Sequence, residues 1–411
     1  MSGNQAMGRY VGHVLVAVTL VWLGLALVVG VGRTLPRGEQ MLFSSIPGWR
    51  AGDWHIYLAD VGRGLSQRIV TARTSSLPAL PVQWSPSGER IGYISSDDRI
   101  TSYLMNAQGG GQQQVAPDLN ADVFNLLWSP DEQQVAFLAG YTGYEDVYLA
   151  AADGTNVRNL TRTARGYKNL IWSPDGRYLA YETSHQNEDI FLYDLQTGKS
   201  VDLTRHPARD MRASWSPDSR QLAFLSARNT GALGGGDFDL YVVDLACLDQ
   251  PYTCTPRRLT DHTPASSSWV ARWSPDGTRL ALGSTAWSGG DDIYLIEVAS
   301  GVIRNVTADD DASDGWPVWS PDGRTLAYEA RLNGRWALKR VNADGSGTVA
   351  LTNGEWEARR PAWSPDGKQI AFGGNRAGSW DIYVLDVEGE GAPRRLTDNR
   401  AIDFWPAWRP G

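Results

Sequence analysis

Trp363-Ser364-Pro365-Asp366-Gly367 is the stretch whose reading decides the fold, because it keeps returning. It is intact at Trp172, Trp273 and Trp319. It recurs with one change at Trp84 (Ser87 for Asp), Trp128 (Glu132 for Gly) and Trp215 (Ser219 for Gly), and a worn copy, Trp408-Arg409-Pro410-Gly411, closes the chain. Successive tryptophans are 44, 44, 43, 58, 46, 44 and 45 residues apart. A fixed period in the forties is the mark of a propeller or solenoid array. Ser-Pro-Asp-Gly suits a tight turn: proline presets the backbone, Asp or Ser tolerates the next position, and glycine accepts the conformation that re-enters a strand. The tryptophan before it ends a strand and supplies a large ring to bury between neighbouring sheets. These residues are expected to build the scaffold.

Working outward, residues 363–397 read as four short strands. Strand a ends at Trp363, strand b is Gln369–Phe372, strand c is Asp381–Asp386, and strand d ends at Leu396-Thr397. Each is bounded by Gly, Pro, Asp or Asn and is rich in β-branched or aromatic residues. The same pieces recur: Leu179-Ala180-Tyr181 and Leu326-Ala327-Tyr328 for strand b, Asp189-Ile190-Phe191 and Asp292-Ile293-Tyr294 for strand c, Leu203-Thr204 and Leu259-Thr260 for strand d. Thr101-Ser102-Tyr103 and Trp336-Ala337-Leu338 are drifted copies of strand c. The first unit has b (Glu39–Phe43), c (His55-Ile56-Tyr57) and d (Val70-Thr71) without an a of its own, whereas the C-terminus offers an a strand, Trp405–Arg409, with nothing after it. The two ends are therefore expected to complete one shared blade. The fold class is all-β, an eight-bladed β-propeller over residues 39–411, preceded by one N-terminal transmembrane helix.

With 44 glycines and 21 prolines, and no long helical periodicity after residue 33, the composition agrees with an all-β chain. A net charge of −8 without a basic, aromatic-interleaved stripe argues against nucleic-acid binding. A short tail, 1–10, precedes residues 11–32, VGHVLVAVTLVWLGLALVVGVG, which are long and apolar enough to cross a bilayer. The span exceeds a usual signal-peptide core and lacks an A-x-A-like site, so it reads as an uncleaved signal anchor, followed by a linker, 33–38. Charge alone points the propeller inward, since Arg33 and Arg37 outnumber Arg9. The only two cysteines, Cys247 and Cys254, lie in a Pro-containing insertion between strands c and d of the fifth unit. They can close a disulfide, which belongs to an oxidising compartment, with two solitary thiols as the alternative. On that pair the propeller is expected on the extracytoplasmic side of the cytoplasmic membrane.

The order WSPDG, Leu-Ala-Phe or Ile-Ala-Phe, Asp-Ile-Tyr and Leu-Thr resembles the WD40-like propeller repeats of TolB and its relatives, and the resemblance covers residues 39–411. It implies extracytoplasmic partners in protein assemblies. The chain departs from TolB itself in having an apolar anchor in place of an N-terminal α/β domain, and eight units in place of six.

Signs of chemistry are few. Related propellers precede a serine hydrolase domain in prolyl-oligopeptidase-like enzymes, but the repeats here run to the last residue and no G-x-S-x-G elbow appears. His13, His55, His185, His206 and His262 show no H-E-x-x-H spacing, and the acidic run Ala308–Gly315 misses the EF-hand pattern. No catalytic, cofactor or metal residue is assigned, and the protein is expected not to be an enzyme. It is expected to bind a protein partner in the cell envelope as a scaffold or recognition module. The alternative is a glycan- or peptide-binding propeller, including a lyase of the oligogalacturonate-lyase-like type.

Most tryptophans outside the signature positions fall in loops at one end of the ring, in units 6, 7, 8 and 1. Trp316 and Trp405 each precede proline and sit three residues before a signature tryptophan, a position compatible with packing. The remaining crescent, Trp49, Trp54, Trp269, Trp287, Trp356 and Trp380 with Arg50 and Arg376, is the expected partner-binding surface, because clustered exposed aromatics mark recognition sites.

Overall fold

The structure, a computed structural model, describes residues 39–47, 52–74, 82–96, 98–141, 143–163, 165–184, 188–229, 238–249, 254–261, 271–284, 291–308, 313–389 and 391–411. The tail, the apolar span and the linker lie outside these residues. Among the described residues no helix is long and apolar enough to cross a membrane.

Eight antiparallel units follow one another around a ring, in agreement with the repeat count. The eighth shows the pattern: strand a Ala358–Trp363, b Gln369–Gly374, c Asp381–Asp386 and d Arg394–Arg395, hydrogen-bonded in that order. Blade 1 is shared between the chain ends. Its strand a is Ile402–Trp408, which pairs antiparallel with strand b, Gln40–Ile46, through Met41 to Trp408 and Ser44 to Phe404. Arg409 extends the closure, since its guanidinium bonds Glu89 of blade 2 while its backbone N–H reaches Gln40 O.

The repeat residues act as connectors. In the turns, Ser320 Oγ donates to Asp322 Oδ1 (2.6 Å) and accepts from Thr325 N (3.0 Å), while Asp322 Oδ1 accepts from Arg324 N (3.1 Å). That hydroxyl holds the Asp322 carboxyl below the usual carboxylate range. The fifth position is left-handed, at φ 71° in Gly367 and 68° in Gly323, which explains the glycine. Ser219 (φ 62°) and Glu132 (φ 58°) occupy the same conformation and recover a contact instead. Ser219 Oγ accepts from Asp175 N of blade 4 (2.9 Å), and the Glu132 carboxylate bonds Ser87 of blade 2. Several signature indoles tie blade to blade: Trp319, Trp363 and Trp408 donate Nε1–H to Arg272 O, Val318 O and Ala362 O (3.0, 3.0 and 2.9 Å), whereas those of Trp84, Trp128 and Trp215 do not.

Strand d is shorter than the sequence suggests, two residues in most blades, and Leu-Thr follows it. The pairing continues through a side chain: Leu351 N donates to Leu338 O (2.8 Å), while Leu338 N donates to Thr352 Oγ1 (2.9 Å). The threonine hydroxyl stands in for a backbone carbonyl. Asn159 and Asn305, which begin the two N-x-T sequences, belong to the same clasp, bonding Asp146 and Asp292 (2.9 and 2.8 Å). The long insertion of blade 5 carries the Cys247–Cys254 disulfide, with Cys247 in the 3-10 turn Leu245–Asp249.

Candidate functional site

Strand a stands at one edge of each blade, and from blade 3 round to blade 1 successive a strands touch, which places them nearest the ring axis. In six of them the register slips by one residue against strand b, three places before the signature tryptophan. The residues at these bulges are Asn125, Asn169, Arg212, Trp316, Arg360 and Trp405, all with φ between 52° and 61°. Asparagine tolerates this left-handed conformation, whereas Arg and Trp adopt it at a cost of about 1–2 kcal/mol each. Bulges re-aim side chains and gather next to functional sites. In blades 5, 7, 8 and 1 the bulged residue is a large one, Arg212, Trp316, Arg360 or Trp405.

Two of the bulges are clamped from the preceding blade. Glu182 is buried on strand b of blade 4, Tyr178–Thr183. Its Oε1 accepts Arg212 N (2.6 Å) and its Oε2 accepts Asn169 Nδ2 (2.6 Å). Glu329 on strand b of blade 7, Thr325–Leu332, repeats the arrangement, with Oε1 accepting Arg360 N (2.7 Å) and Oε2 accepting Arg359 Nε and Nη2 (3.0 and 2.9 Å). Lys168 and Arg209 both pair with Glu188 at the blade 4–5 boundary. On the other side, Arg272 and Arg360 both lie against the Trp316 ring, 5.5 and 4.1 Å from its centroid.

Burial pushes the Glu182 carboxyl up to about 7, against the pull of Asn169, of the Lys168 charge and of the Ala213 and Arg212 backbone N–H groups. The folded protein thus holds this proton more tightly than the unfolded chain. The stability this adds is fully present below the usual carboxylate pKa and is lost as pH rises through about 7. Glu182→Gln is expected to flatten that decline, read as unfolding free energy by denaturant titration from pH 5 to 8. An unchanged slope would assign the decline to other groups, Asp189 first, whose carboxyl burial raises to about 6.

The structure divides the expected binding crescent. Trp49, Arg50, Trp269 and Trp287 lie outside the described residues. Trp54 and Trp356 do not present a surface. Trp54 sits on strand c of blade 1, Gly52–Asp60, and is 1% exposed in the core. Trp356 is 7% exposed, stacked on Phe372 (5.8 Å) and tilted on Tyr383 (5.0 Å). Both are large apolar side chains whose burial inside the barrel of blades outweighs their place in or beside a loop. Arg376 is exposed and Trp380 is half-buried, on the b–c loop of blade 8. Arg376 and one edge of Trp356 line a groove of about 610 Å³ between blades 7 and 8, with Arg340, Leu351 and Leu385. Trp316 and Trp405 are half-buried at the bulges, and Trp405 packs edge-on to Phe404 (4.9 Å).

Among the described residues, the most exposed aromatics are Tyr141 (65%) and Tyr144 (63%), on the b–c loop of blade 3, away from the tryptophan crescent. Sequence reasoning also missed the channel arginines. A signal for two of them was present: Leu-Ala-Tyr-Glu occurs at residues 179–182 and 326–329, and in each case the next blade carries Arg three places before its tryptophan, at Arg212 and Arg360. Of the histidines, His185 and His262 lie outside the described residues, and His206 Nδ1 accepts Ala208 N (3.1 Å). Among the described residues no group of three or more His, Cys, Asp or Glu could hold a metal ion.

This geometry defines the class: an eight-bladed β-propeller of WSPDG repeats, closed by its two chain ends, with a bulge-lined channel. Its neighbours among solved structures include TolB-like propellers. A putative TolB from Agrobacterium tumefaciens is 22% identical, covers 62% of this chain and 87% of that one, and superposes with a TM-score of 0.42. Dipeptidyl peptidase 4 from Porphyromonas gingivalis is 14% identical over 95% of this chain and 62% of that one, with a TM-score of 0.64. An oligogalacturonate lyase in complex with manganese is 16% identical over 78% of this chain and 86% of that one, with a TM-score of 0.52. At these identities the likeness establishes the fold alone. No family model matches the chain. The uncharacterized protein Atu1656 of Agrobacterium fabrum is 34% identical over 108 residues, 25% of this chain and about a third of that protein's length (34%).

Proposed function

We propose that this chain is a membrane-anchored, extracytoplasmic propeller that binds a protein partner in a cell-envelope complex, without catalysis of its own. The observation that carries the reading is the pair Tyr141 and Tyr144, exposed on the same loop face as Arg376 and Trp380. Aromatic residues and arginine are enriched among the residues that anchor protein interfaces. The apolar residues 11–32 support the anchor, and the Cys247–Cys254 disulfide supports the oxidising side. About seven residues join the span to strand b of blade 1, so the a–b and c–d turns face the bilayer and the loop face points away. Capture from detergent-solubilised envelopes by the full-length chain tests the reading. A partner held by the wild type is expected to be lost when Tyr141, Tyr144 and Trp380 are all changed to Ala, with an unchanged melting temperature. Equal capture by both proteins would overturn it. The arginines of the channel favour a second reading, a ligand-binding propeller.

A further inference from the structure

We propose that the channel binds an oxyanion, a carboxylate or phosphate group, held by Arg272 of blade 6 and Arg360 of blade 8 beside the Trp316 ring of blade 7. Three consecutive blades supply the three residues, so the packing of neighbouring blades assembles them. Both guanidinium groups lie against one indole, at 5.5 and 4.1 Å from its centroid. The other cations nearby have acidic company. Lys168 and Arg209 pair with Glu188, Arg359 pairs with Glu329, and Arg212 is attracted by Glu182 and Glu188.

Arg272 differs, having no acidic neighbour among the described residues, and Arg360 differs in part, since it is attracted by Glu329 without a hydrogen bond from its guanidinium to that carboxylate. Among the described residues no carboxylate is hydrogen-bonded to either guanidinium. Glu329 is occupied, since it accepts the side chain of Arg359 and the backbone N–H of Arg360. Burial lowers both arginines; the charge of Arg360 adds to this at Arg272, which falls to about 10, while at Arg360 the Glu329 charge opposes it and the Arg359 charge adds to it, and both stay charged at neutral pH. Two like charges kept together in a partly desolvated channel are unfavourable unless something compensates them. The indole face offsets a part of this. An anion from outside would offset far more, and the planar guanidinium forks suit the paired oxygens of a carboxylate or phosphate. The backbone adds a second, independent sign. Trp316 and Arg360 are held at φ 55° and 61°, a strained conformation for such side chains of the kind that clusters at ligand clamps.

This inference concerns the channel wall, deepens the ligand-binding reading, and stands or falls separately from partner capture by the loop face. It is tested by calorimetric titration of the full-length chain in detergent at low salt, with inorganic phosphate in one arm and succinate in the other. Saturable binding of at least one anion is expected, and the tighter one tells a phosphate source from a carboxylate source. Arg272→Gln and Arg360→Gln should each weaken binding by about tenfold or more, the loss of a charge-assisted hydrogen bond. Arg220→Gln, on the exposed turn of blade 5, should leave it unchanged. Without anion, Arg272→Gln should melt no lower than the wild type, because it removes a repulsion. Should that variant not fold, Arg272→Lys keeps the charge and loses the fork, and is expected to bind more weakly. Failure of the wild type to bind either anion, or undiminished binding in the Arg272 and Arg360 variants, overturns the proposal.

Discussion

Truncation after Asn399 is expected to unfold the whole propeller in one step. The deletion removes strand a of blade 1, Ile402–Trp408, and with it the antiparallel ladder to Gln40–Ile46. Trp408 is 2% exposed and donates its indole N–H to Ala362 O of blade 8, so its loss alone costs about 3–5 kcal/mol. The Arg409 contacts with Glu89 and Gln40 go with it. Opening the ring also bares strand b of blade 1 as a new sheet edge, which favours aggregation. Thermal unfolding followed by circular dichroism checks this: the truncated chain should lack a cooperative transition near that of the full-length protein. Coincident melting curves would show that the ring stands without its shared blade.

Trp356→Ala is expected to destabilise blade 8 by about 3–5 kcal/mol, the usual cost of emptying a core site of this size. The ring packs against Phe372 and Tyr383, which stack on each other, and a Cβ added at Gly374 would lie 2.3 Å from Trp356 Cζ3. Trp380→Ala, on the same blade with a half-buried ring, should cost much less. Denaturant titration of the two variants separates the outcomes. A small loss for Trp356→Ala, equal to that of Trp380→Ala, would return Trp356 to the surface crescent. The comparison also warns that a triple replacement including Trp356 would report on folding before it reported on partner capture.

The pair shows why part of the site was hidden in the sequence. Trp356 and Trp380 both look like loop tryptophans flanked by polar residues. Their difference comes from Gly374, Phe372 and Tyr383, which the b and c strands of blade 8 bring under the first ring. Tyr141 and Tyr144 were visible as loop residues, but nothing in their neighbours' identity announces that both are well exposed.

The sequence by itself determined the repeat, the number of blades and the shared blade, and showed that the two cysteines could pair, which the structure then bore out. Each rests on short-range chemistry that every copy carries with it: the Ser-Pro-Asp-Gly turn, the alternating strand, the Leu-Thr clasp, and two thiols seven residues apart. Only the tertiary structure decided what lines the channel. The bulge at Trp316 or Arg360 is a slip of register between paired strands, and a register is a property of two strands together. The approach of Arg272 to Arg360 at Trp316 depends on the packing of three neighbouring blades, which brings together charges that no local pattern of residues connects.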